Sequence, residues 1–166
     1  MRKCILKSGT AAILAVGLFG IIPSGFAASS TTQTVTFSVS AINEISVSGN
    51  PGALTVSSAA AGSGPTSASD ASTTYAITTN ETNRKITGAI NSAMPSGTIL
   101  AVQLAAPTGA TSAGSVTLGT SAADLVTGIA TLNESGKTIT YTFSATTAAG
   151  TVSSSTRIVT LTITAG

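Results

Sequence analysis

The chain contains no histidine and no tryptophan, and its one cysteine, Cys4, lies among the first residues. Without imidazole, zinc and copper sites built on histidine are excluded, and so is the base of serine and cysteine nucleophile machinery. Beyond residue 27 the aromatics are Phe37, Tyr75, Tyr141 and Phe143 alone, which leaves few platforms for stacking on sugars or bases. No glycine-rich loop sits between a strand and a helix, so phosphate cradling has no support. Charge is scarce as well. Past residue 27 the bases Arg84, Lys85, Lys137 and Arg157 face the acids Glu44, Asp70, Glu81, Asp124 and Glu134, a balance near neutral and slightly acidic. No basic stripe for nucleic acid and no polybasic patch for anionic lipid follows from it.

The five acids are also too dispersed for dedicated chemistry. Asp70 stands alone in "SGPTSASDAS", and Asp124 and Glu134 are distant from it, so the dense oxygen-ligand spacing of a calcium loop is missing. Glycoside hydrolysis needs only two placed carboxylates. Here, however, each acid lies in or beside a predicted loop or strand end and reads as solubilising charge. Neither an enzyme, a metal nor a cofactor is expected.

The first residues give an address. Arg2, Lys3 and Lys7 precede the apolar run "AAILAVGLFGII" (11–22), Pro23 breaks it, and "SGFAA" supplies small residues. This is the layout of a secretory signal peptide, cleaved after Ala27 with Gly25 and Ala27 at the small-residue sites. The run is too short for a comfortable membrane span of roughly 20 residues. Cys4 precedes it and is badly placed for lipid attachment. The expected organisation is a signal peptide over 1–27 and one domain over 28–166, exported, free of disulfides and without an integral membrane segment. The end, "TLTITAG", carries neither a membrane helix nor an LPxTG sorting signal.

What is present is strand pattern. Ser and Thr make up roughly a third of residues 28–166, and the apolar residues among them alternate; threonine itself favours strands. The candidates are "ALTVSSA" (53–59), "TTYAITT" (73–79), "RKITGAI" (84–90), "TILAVQLAA" (98–106), "SVTLGT" (115–120), "GIATL" (128–132), "KTITYTFSATT" (137–147) and "RIVTLTITAG" (157–166). "NETN" (80–83) and "NESG" (133–136) read as hairpin loops, and "TSAADLVTGI" (120–129) is the one place where a short helix fits. Eight to ten short strands at roughly regular spacing predict an all-β fold, a single antiparallel β-sandwich of Ig-like or jelly-roll-like type. The sequons at Asn80 and Asn133 fall in the predicted hairpin loops. In so Ser/Thr-rich a chain they arise easily by chance. Threonine rows such as "TLTIT" resemble ice-binding ladders but lack the regular repeat, and threonine suits any solvent face of a strand.

The opening ribbon, "TVTFSVSAINEISV" (34–47), places Val35, Phe37, Val39, Ala41, Ile45 and Val47 on one parity, hence on one face of an extended chain. Strands usually end after about five or six residues. A ribbon this long fits either a pair of strands broken near Ile42, which steps off the parity, or a strand offered to a neighbour.

The signal peptide, the segment "TTQTVTFSVSAINEISV" and the Ser/Thr/Ala-rich strands that follow resemble secreted bacterial surface-fibre subunits, the chaperone-usher pilins and TasA-type biofilm matrix fibres. The resemblance is one of layout and composition over residues 28–166. Chaperone-usher subunits carry a disulfide and a tyrosine near the C-terminus, where this chain has no cysteine and ends in "TITAG". The resemblance implies an exported structural subunit of a filament or surface matrix, self-associating into a homopolymer. It implies a donor strand over about 32–41, with Val35, Phe37, Val39 and Ala41 facing the next subunit. The other reading is a monomeric adhesin or carbohydrate-binding module that meets a surface glycan or a host or matrix partner through the loops 61–72 and 107–114.

Overall fold

A computed structural model describes residues 28–166; the expected signal peptide, with Cys4, lies outside the described residues. The chain divides into two units, Met1–Phe37 and Ser38–Gly166, and among the described residues every strand belongs to the second. In order these are β1 (Asn43–Val47), β2 (Ala68–Thr79), β3 (Arg84–Ile90), β4 (Thr98–Leu104), β5 (Thr111–Ser112), β6 (Val116–Thr117), β7 (Ala123–Ile129), β8 (Leu132–Ala145) and β9 (Val159–Ala165). A 3-10 turn, Thr147–Ala149, precedes β9.

The strands form two antiparallel sheets, β1-β2-β8-β4-β6 and β5-β7-β3-β9. Both contribute to one hydrophobic core. Tyr75 and Ile77 of β2, Val102 and Leu104 of β4 and Ile139 of β8 come from the first sheet, and Ile86 and Ile90 of β3 and Leu125, Val126 and Ile129 of β7 from the second. The architecture is therefore all-β and sandwich-like. Alternation accounts for it. In β9 Val159, Leu161 and Ile163 turn inward while Thr160 and Thr162 face solvent. In β8 Ile139 and Tyr141 are buried and Phe143 is half-buried. Each large apolar side chain that is fully buried in this core contributes about 1.5–3 kcal/mol, and the half-buried ones less.

From β2 onward, no strand pairs with its successor. Each connection crosses to the opposite sheet, and β1 with β2 is the one sequential pair. This corrects both expected hairpins. Residues 80–83 carry the chain from β2 in one sheet to β3 in the other. Residues 133–136 lie inside β8, where the register moves from Tyr75↔Lys137 to Ile77↔Glu134 and leaves an extra residue on β8 beside Gly136, whose φ of 68° suits glycine. Such a bulge bends a strand without ending it.

The helix considered over 120–129 is strand β7, paired with β3 through two register shifts. The strand expected over 53–59 does not form; only Ala59 makes an isolated bridge, to Pro65. The long ribbon divides as well. Residues 43–47 become β1, paired with Thr79 to Tyr75 of β2, while residues 28–42 belong to no strand. Ile42 marks the division. Its N–H donates to Asn80 Oδ1 at 2.8 Å, and Asn80 Nδ2 donates to the Ser40 carbonyl at 2.8 Å.

Candidate functional site

β1 pairs only with β2, and β9 only with β3, so each sheet presents an open edge, and these two strands lie against each other. Beside them runs a groove of about 1540 Å³. The first sheet supplies Leu100, Tyr141 and Phe143 to its wall, and β9 supplies Val159 and Leu161. Two stretches that join no strand supply much of the rest of the lining, around residues 49–59 and 150–158.

The two stretches share a property. Among the described residues, neither 49–57 nor 151–157 makes a backbone–backbone hydrogen bond, yet Leu54 and Val56 alternate inward with Thr55 and Ser57 outward. Residues 53–57 thus have the side-chain pattern of a strand and no partner. Arg157 is the one charged residue of the lining, and its guanidinium is bonded to the Ala93 carbonyl at 3.1 and 2.8 Å and to the Thr156 carbonyl at 2.8 Å. Thr73, also on the wall, is buried, and its hydroxyl finds no hydrogen-bond partner.

The residues singled out by the ribbon's parity are exposed. Val35 is 75% accessible, Phe37 89% and Val39 82%, and Ala41 is exposed beside them. Val35, Phe37 and Val39 are thus large apolar side chains left in water on a segment that joins no strand. The sequence pattern found this segment but not the groove, whose residues come from several separated stretches of chain. The one signal for it was the alternation of "ALTVSSA".

The carboxylates are spread over separate local contacts. Glu134 lies 2.5 Å from Lys137 Nζ and accepts the Thr108 N–H at 3.0 Å; these contacts, Lys137 first, hold its carboxyl down at about 2. Glu81 is bound by Asn43 Nδ2 and paired with Arg84, and the Asn43 bond contributes most to lowering its pKa. Asp70 accepts the Ser72 hydroxyl at 2.7 Å and the Ser72 N–H at 3.0 Å, which lowers its pKa too. Asp124 pairs with Lys85 at 3.1 Å. Among the described residues no group of three or more acids gathers as a metal site, and no helix is long and apolar enough to cross a membrane. The loops 61–72 and 107–114 are partly drawn into structure, with residues 68–72 opening β2 and Thr111–Ser112 forming β5. Asn133, in the second sequon, is paired in β8 with Thr78. No family model, curated protein or solved structure matches the chain.

Proposed function

We propose that this chain is an exported structural subunit of an extracellular filament or surface matrix, assembled by strand exchange between copies. One observation carries the reading. Val35, Phe37 and Val39 stand at alternate positions of a segment that joins no strand, each more than 70% exposed. Three large apolar side chains in water are costly, about 1.5–3 kcal/mol each relative to burial, and their period of two is the one by which an added strand fills a neighbour's sheet. Head-to-tail addition of this kind does not close on itself and yields a fibre. In this reading the strand-bearing unit is a β-sandwich of the Ig-like or jelly-roll-like kind, and residues 1–27 direct export.

The test is negative-stain electron microscopy with size-exclusion chromatography on the chain from Ala28 onward. Filaments or a ladder of oligomers are expected. A monomer over a wide concentration range overturns the reading.

A further inference from the structure

The donated segment needs a place to be received. We infer that the groove beside β9 is that place: residues 32–41 of a second copy enter it with Val35, Phe37 and Val39 turned inward, pairing with the lining backbone that lacks main-chain partners. This inference rests on the strand-exchange reading above and adds the acceptor.

Four observations converge on this occupant. The first is the distribution of exposed apolar surface. Among the described residues, the large exposed hydrophobics are Val35, Phe37, Val39, Ile42, Val47, Ile99, Val152 and Ile158. Three of these sit on the segment, and three others, Val47, Val152 and Ile158, line the groove. Apolar patches of this kind mark binding surfaces, and here the chain carries both halves of one contact.

The second is the backbone. Residues 49–57 and 151–157 leave their N–H and C=O groups without backbone partners, and the outer edge of β9 is unpaired. An extended segment satisfies such groups with its own main chain, which a small molecule does not. The buried Thr73 hydroxyl, unpartnered on the wall, gains a partner by the same entry.

The third is size. At about 1540 Å³ the groove exceeds the roughly 300–1,000 Å³ of ordinary ligand pockets and suits a length of polypeptide. The fourth is charge. Residues 29–42, "SSTTQTVTFSVSAI", contain no ionisable side chain, and the one charged residue of the groove is already bonded to backbone carbonyls. Docking therefore strips water from no unpaired ion, the usual obstacle to burying a surface.

Two variants of the chain from Ala28 onward test the assignment. One is donor-defective, Val35→Asp with Phe37→Asp. The other is acceptor-blocked, Leu54→Arg with Ile158→Arg, at positions outside both sheets. Each alone is expected to lose all species larger than the monomer. Mixed in equal amounts they are expected to form a single complex of twice the monomer mass and nothing larger, because one intact segment then meets one intact groove. Formation of that complex also shows that both variants are folded. If the acceptor-blocked chain polymerises like the parent while the donor-defective chain does not, strand exchange stands and the groove is the wrong acceptor. If both variants assemble like the parent, or the parent itself stays monomeric, strand exchange falls and the acceptor with it. Amide hydrogen exchange on the unaltered chain gives a second readout: Thr55 and Val56 are expected to become at least ten-fold slower in the assembled form. Unchanged exchange there, or equal slowing in the monomer through the chain's own segment, overturns the inference.

Discussion

The Tyr75 hydroxyl, at the end of an otherwise buried ring, donates to the backbone carbonyl of Ala105 at 2.6 Å. This bond fastens β2 to the chain leaving β4 across the intervening strand. Burial first, and the charge of Glu134 second, raise the phenol to about 12 from 10.0. The folded state thus favours the neutral form. Its contribution is complete below pH 10, where both states hold the proton, and is lost as pH rises from 10 to 12, where only the unfolded chain ionises. Tyr75→Phe is expected to cost about 1 kcal/mol at neutral pH. Between pH 10 and 12 the parent's advantage should vanish and reverse, a relative change on the order of 2 kcal/mol, as followed by urea unfolding at each pH.

Glu134 works in the opposite direction. Its pKa is held at about 2 by Lys137 and Thr108, so the stability it provides is complete above its ordinary pKa of 4.5 and is lost as pH falls from there toward 2. Glu134→Gln is expected to lower the Tm above pH 5 and to match the parent near pH 2. Parallel melting curves for parent and variant, one pH unit apart, display the convergence.

Two glycines are expected to resist substitution for different reasons. A Cβ on Gly97 would lie 2.8 Å from the backbone nitrogen of Ala149, at a φ of 74° that L residues avoid. Gly97→Ala is therefore expected to cost more than about 2 kcal/mol. On Gly88 of β3 the obstruction is a side-chain methyl, Leu125 Cδ1 at 2.6 Å, and Gly88→Ala is expected to cost about 1–3 kcal/mol. Leu125→Val in the same chain should recover part of that loss, a coupling that a double-mutant cycle of denaturation free energies measures.

Deleting residues 29–41 removes no strand and no core residue. The deletion breaks the contact from Asn80 Nδ2 to the Ser40 carbonyl, an exposed bond worth about 1 kcal/mol or less. The shortened chain is expected to keep its β-type circular dichroism and nearly its full Tm, and to lose assembly. Unfolding or aggregation of the shortened chain would mean that the segment belongs to its own sheets.

Much of the strand inventory was legible in the sequence, and the partners were not. β3 spans the expected 84–90, β4 and β9 fall within the expected 98–106 and 157–166, and β8 covers most of the expected 137–147, because alternation reports which side chains face a core. It does not report which backbone a strand bonds to. "NETN" has the same polar, flexible chemistry whether the chain returns to its own sheet or crosses to the other. "NESG" also resembles a turn, since the glycine that permits a tight loop equally permits the bulge at Gly136. In β7 two bulges bring Leu125, Val126 and Ile129 all inward, and that spacing imitates one face of a helix. Residues 53–57 alternate as a strand should and remain unpaired. The pattern there recorded a tendency that the isolated chain leaves unfulfilled.

The crossing of every connection after β2 also bears on when the fold can form. β8 joins β2 to β4, and β9 completes the second sheet against β3, so both sheets wait for the last strands made. Topologies dominated by such distant pairings fold slowly, and a ribosome delivers the N-terminal strands first. Until β8 and β9 emerge, the earlier strands lack the partners that would close their sheets. This order of assembly is itself a timer: the early strands keep open edges through most of synthesis, and both sheets lock only when the last segment arrives.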